Sequence, residues 1–105
     1  MSKEEKVTEG KVVFASGAAR SKMDVRWDLL SQEFLREMAV VMEEGAAKFG
    51  ADNWKGGVAD GVTENHLLEH YFKWQDGDRS ENHLAKVAIN AMFLHWYEQH
   101  GVHAK

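Results

Sequence analysis

The sequence predicts a mainly α fold: a small bundle of about three main helices behind an extended N-terminal segment. Three observations lead there. Apolar residues recur at helical spacing over 31–49, 63–77 and 80–99. Proline is absent, so glycine must punctuate the chain, and Gly50, Gly61, Gly77 and Gly101 cut the second half into helix-sized pieces. The letters ENHL occur twice, after Thr63 and after Ser80, each time in a helix-start pattern.

Taken in order, residues 1–10 read as a flexible polar lead-in, and residues 11–100 as one domain. "KVVFASG" suits a short extended segment. "AARSKMDVRWDLL" reads as an ordered loop anchored by Trp27 and Leu29–Leu30. The first helix runs from about Ser31 to Phe49, with Ser31 as N-cap and Glu33 favouring the positive end of the dipole. Phe34, Met38, Val41 and Met42 form its apolar stripe, widened by Leu35 and Ala39. Gly50 stands where a helix-ending glycine is expected. Residues 51–62 are loop. The second helix starts after Thr63 and ends near Gly77, with Leu67, Tyr71 and Trp74 on one face. The third starts after Ser80 and runs to about Gln99. In this scheme Thr63 and Ser80 are N-caps, and Glu64 and Glu81 take the first helical positions. The third helix is apolar nearly all round, which predicts burial on most sides and contact with a second copy in a homo-oligomer. The tail, 101–105, is expected to fray.

Composition narrows the function classes. A chain of 105 residues points to one domain with a modest core. The formal net charge of −4 argues against duplex nucleic acid as a partner. Locally, though, Arg20, Lys22 and Arg26 face only Asp24 and suit a small anion. No cysteine is present, which excludes disulfides and thiolate metal sites. No apolar run approaches the roughly 20 residues of a membrane-spanning helix, and "MSKEEKVTEG" matches neither a signal nor a transit peptide. A cytoplasmic protein with no membrane partner is the expectation.

Carboxylates without cysteine favour a hard metal, magnesium or manganese. Glu43 and Glu44 are adjacent and splay by about 100° on a helix, while Glu37 shares a face with Glu44. These are either metal ligands or a solvated acidic face. Glu81 and His83 stand at the mouth of an apolar helix, and Asn90 lies two turns beyond His83, as a packing amide or a substrate contact. His66 and His70 have the i, i+4 spacing that suits zinc, but no third ligand follows at a zinc spacing. Trp54, in a glycine-rich loop, can stack on a base or plug the core. Lys48 and Lys55 flank that loop within reach of phosphates. No serine sits in a nucleophile-elbow pattern.

"FASGAAR", "RWDLL", "EEGAAKFGADNWKGG" and "EHYFKWQDGDRSENHLAKVAINAMFL" occur in that order. Together they resemble the N-terminal domain of phage dATP/dGTP diphosphohydrolase-like proteins, a family similar to the all-α MazG-type nucleoside triphosphate pyrophosphohydrolases. The resemblance covers about residues 12–97. It is most specific in the G-A-x-K-[FY]-G-x-x-N-W-x-x-G stretch at 45–57 and the H-L-A-x-x-x-x-N stretch at 83–90. It implies a MazG-like helical oligomer acting on a purine deoxynucleotide with Mg2+ or Mn2+, in the cytoplasm of a bacterial host.

On matching positions the resemblance makes Glu44, Glu81 and His83 catalytic, and Glu43, Glu44, Asp78 and Glu81 metal ligands. It assigns the nucleotide to Arg20, Arg26, Lys48, Asn53, Trp54, His70 and Asn90. Four departures stand out. Glu69 replaces a common arginine, Ser80 and Asn82 stand among fewer acids, Lys86 replaces a second histidine, and "EEGAA" lacks the E-E-x-x-E spacing. Two functions follow as expectations. One is metal-dependent hydrolysis of dATP or dGTP. The alternative is a non-catalytic sponge that sequesters a signalling nucleotide of bacterial anti-phage immunity.

Overall fold

The computed structural model describes residues 6–8, 10–59 and 61–102. The rest of the expected lead-in, 1–5 and 9, and the tail residues 103–105 lie outside the described residues. The chain divides into two compact units, one ending at Leu30 and the other beginning at Ser31.

The first unit is an antiparallel meander of β1 (Lys6–Thr8), β2 (Lys11–Val13) and β3 (Ala19–Ser21), in sheet order β1-β2-β3. The register pairs Lys6 with Val13 and Val12 with Arg20. A strand thus occupies part of the segment expected to be a lead-in. Hairpin pairing orders these three-residue strands, a cue that no short apolar run displays alone. Ala19–Ser21, expected as loop, is the third strand. Trp27–Leu29 forms a 3-10 turn, and Trp27, Leu29 and Leu30 are exposed instead of anchoring it.

The second unit is three helices: α1 (Gln32–Phe49), α2 (Val62–Gln75) and α3 (His83–His100). The Ser31 side chain accepts the Phe34 N–H and starts α1, and Gly50, at φ +94°, ends it. Phe34, Met38, Val41 and Met42 are half-buried as the stripe requires, while Leu35 is exposed. A 3-10 turn over Asn53–Gly56 then carries Trp54 onto α3.

Both ENHL helix starts are corrected. Left-handed Gly61 precedes α2, so Thr63 is inside the first turn, 5% exposed, and does not cap. Before α3, the Ser80 hydroxyl and N–H both donate to Asp78 Oδ1, at 2.6 and 2.8 Å. That charge-assisted turn engages the serine, and Asn82 becomes the N-cap, accepting the Ala85 N–H at 3.1 Å. Glu64 is therefore the third residue of α2, and Glu81 lies before α3.

Helix α3 packs against α2, α1 and the 3-10 turn, so it is the spine of the unit. Its Ala85, Ile89 and Tyr97 are the fully buried apolar residues among those described. Leu84 and Met92 of the same helix are exposed, so the chain by itself does not bury α3 on most sides. Gly101 and Val102 close the helix: both backbone N–H groups donate to the Tyr97 carbonyl. Among the described residues, no helix is long and apolar enough to cross a membrane.

Candidate functional site

The turn between α2 and α3 builds the polar part of the site. Gly77, at φ +91°, reverses the chain after α2. Its N–H donates to the Trp74 carbonyl and that of Asp78 to the Lys73 carbonyl, which is a Schellman closure. The chain re-enters through Asp78–Ser80 and places His83 at the first position of α3, beside His70 of α2.

Here five titratable side chains meet. The two Nδ1 atoms of His70 and His83 are 2.9 Å apart. Glu81 joins them, so that one donor atom from each of the three residues lies within 4.8 Å of the others. Behind His83, Asp78 Oδ2 is 3.3 Å from Nε2, within ion-pair distance. The alignment is too poor for a hydrogen bond, and Nε2 is buried without one. Two hydrogen bonds from Ser80 hold the Asp78 carboxyl down to about 2. Burial lowers the His70 imidazole, which favours its neutral, metal-ligating form. Lys86, one turn into α3, binds Glu81 Oε1 and holds that carboxyl low. Across the junction, Asn82 Nδ2 donates to Glu37 Oε1 of α1 at 2.7 Å.

A cavity of about 510 Å³ opens beside this cluster, lined by residues of α1, α2, α3 and the 3-10 turn. Along α3 it is lined by Lys86, Ile89, Asn90, Phe93 and Tyr97, on the stripe that His83 begins. Lys86 and Phe93 are seven residues apart, about 10 Å along the axis. The cavity therefore has a polar end at Lys86 and His70 and an aromatic end at Phe93 and Trp54. Trp54 stacks on Phe93, with centroids 4.7 Å apart and planes 19° off parallel. Tyr97 fixes it by donating to the Trp54 carbonyl at 2.6 Å. Trp54 thus fills the core and also faces the cavity.

Within the second unit the structure brings some expected residues together and leaves others apart. His70, Glu81 and His83 form the cluster, with Asp78 behind it. Asn53, Trp54, His70 and Asn90 line the cavity, and Asn90 Nδ2 donates to the Lys86 carbonyl at 2.8 Å. Glu43, Glu44 and Lys48 are exposed on α1, outside the cavity lining and the cluster. Arg20 lies on β3 of the first unit, and Arg26 there is engaged by Asp28 through Nε and Nη2, at 2.7 and 2.6 Å. His66 lines the cavity but is not in the cluster.

Sequence reasoning missed Tyr97 as the holder of Trp54 and the pairing of His70 with His83. For Tyr97 a signal existed: His83, Lys86, Asn90, Phe93 and Tyr97 recur at steps of three and four.

The family model described as dATP/dGTP diphosphohydrolase, N-terminal, matches residues 15–105. No curated protein and no solved structure matches the chain.

Proposed function

The chain belongs to the dATP/dGTP diphosphohydrolase N-terminal family, and on that premise we propose that it binds a purine deoxynucleoside triphosphate in the cavity and hydrolyses it to the monophosphate. The observation that carries this reading is the cavity's polarity. Its aromatic end, Trp54 on Phe93, suits a purine ring. Its polar end, Lys86 with His70, suits a phosphate chain. Asn90, tied to the Lys86 carbonyl by one N–H, lines the cavity at a position between the two ends along α3. A cavity of this size is within the range of small-molecule sites.

In the reaction, water adds to the α-phosphorus, the bond to the bridging oxygen breaks, and diphosphate leaves. Glu81 and the two imidazoles would hold a divalent metal, since their donor atoms already converge. Such an ion supplies Lewis acidity toward the phosphate oxygens. Lys86 neutralises phosphate charge. His70, kept neutral by burial, can accept a proton from a water or hold the metal. A homo-oligomer belongs to the proposal, because Leu68 and Phe72 of α2 and Leu84 of α3 are exposed and suit a second copy.

One observation favours a second reading. Lys86 sits on Glu81, so the acid is paired with a cation of the protein's own. A pocket whose carboxylate is neutralised this way suits retention of a nucleotide, including a cyclic signalling one, without cleavage.

The test incubates the purified protein with deoxynucleoside triphosphates and cyclic nucleotides, with Mg2+ or Mn2+ and with chelator. Products are resolved by chromatography. Chelator-sensitive dAMP or dGMP with released diphosphate is the expected result. Intact nucleotide, depleted from solution and recovered on heating the protein, would replace hydrolysis with sequestration.

A further inference from the structure

We propose that His70, His83 and Glu81 form a site for a borderline transition-metal ion of the zinc class, in which Lys86 is the resident cation that the metal displaces. The proposal deepens the hydrolytic reading by naming the metal class at its centre, but it stands on the donor set alone. Two imidazole nitrogens and one carboxylate suit Zn2+ or Co2+, whereas Mg2+ prefers oxygen ligands and keeps its waters.

Three observations carry it. First, two imidazoles from different helices face each other through Nδ1 at 2.9 Å. Nitrogens about 2.0–2.1 Å from a tetrahedral zinc ion stand about 3.3 Å apart. A separation of a few tenths of an ångström more than the present one would therefore seat an ion between them. Second, His83 is buried, at 2% exposure, and its Nε2 has no hydrogen bond while Asp78 lies 3.3 Å away. A carboxylate behind the non-ligating nitrogen is how proteins fix a histidine's tautomer toward a metal. Here Asp78 favours the proton on Nε2, which leaves the Nδ1 lone pair for the ion. Ser80 in turn holds Asp78 through two hydrogen bonds. Third, Glu81 already binds a cation, the Lys86 ammonium, and Lys86 also lines the cavity. A metal that takes Glu81 frees Lys86 for an anion there. Binding of the metal and of a polyphosphate should then strengthen each other.

Metal binding is measured on the full chain without nucleotide, after chelator treatment. Zn2+ is titrated calorimetrically, and Co2+ is followed by its visible absorption. The expected result is one Zn2+ per chain and a cobalt spectrum of nitrogen ligation, with millimolar Mg2+ failing to compete. His70→Ala, at a half-buried position, should weaken Zn2+ at least about tenfold while keeping the helical circular dichroism. Lys86→Met should tighten it. No zinc bound at tens of micromolar, unchanged affinity in a folded His70→Ala, or equal competition by Mg2+ would overturn the proposal. The imidazole pair would then be an internal hydrogen bond only. Because no nucleotide is present, such a failure leaves hydrolysis standing. A zinc-loaded protein without turnover would instead sink the hydrolytic reading alone.

Discussion

Helix α1 and the α2–α3 junction both offer carboxylates, yet among the described residues only at the junction does one meet two imidazoles. On α1, Glu43 and Glu44 stand on adjacent positions and point to solvent. Nothing crosses from a second element to meet them among the described contacts. At the junction, the reversal at Gly77 brings the end of α2 and the start of α3 side by side. Residues 13 positions apart in sequence then face each other, as His70 and His83 do. Spacing on one helix sets directions, whereas a turn between two helices makes directions converge. Glu37 is the instructive exception. It reaches the junction, but as the acceptor for the capping Asn82, a structural tie between the two regions.

The largest effect expected from this contrast is on turnover. Glu81→Gln should lower hydrolysis of dATP or dGTP at least about a hundredfold, as the loss of a charged group at the reacting centre does. Glu44→Gln should change it by less than about threefold, within the range of surface substitutions. Steady-state kinetics on both variants decides, and a larger loss from Glu44→Gln would reverse the comparison. Next, Asp78→Asn should lower zinc affinity about ten- to a hundredfold, the usual cost of removing a carboxylate behind a metal-bound histidine. Competition with a chromophoric chelator reads this out.

Smaller effects concern stability. Asn82→Ala removes both the α3 cap and the tie to Glu37, and should cost about 1–2 kcal/mol in denaturant unfolding. A neutral result would mean that the two regions are held together elsewhere. Glu43→Gln should stay within about 0.5 kcal/mol. Alkaline pH touches a different part of the unit. Burial pushes the Tyr97 hydroxyl up, against a weaker opposing hydrogen bond with Thr63. The unfolded chain therefore ionises first, near pH 10. Stability from Tyr97 is complete below that pH and falls as pH rises beyond it. Thermal melts from pH 8 to 11 should show the decline, and Tyr97→Phe should flatten it.

How far the sequence reveals this depends on whether a feature is local. Both ends of α1 were legible because Ser31 and Gly50 each act within one turn. The starts of α2 and α3 were misplaced for an equally local reason. Good capping residues stand close together, and the Asp78–Ser80 turn decides that Asn82 and not Ser80 caps. The meander escaped because three-residue strands depend on their partners. In the site, Glu81 and His83 stand out from the residues themselves, at the mouth of an apolar helix, and the family resemblance adds His70 and Asp78. Their grouping was not legible, since it is set by the path of the chain through Gly77. Lys86 stands out in the sequence as a departure from the family pattern, a lysine that can hold phosphate. Its contact with Glu81 spans five residues and crosses the helix start, so helical periodicity does not reveal it.

The most direct measurement is a crystal structure of the chain grown with Zn2+, with anomalous scattering recorded at the zinc edge. The junction account predicts one strong peak about 2.0–2.2 Å from nitrogens of His70 and His83 and from an oxygen of Glu81, with Lys86 moved toward the cavity. A peak at Glu43 and Glu44, with the junction empty and Lys86 still on Glu81, would contradict it.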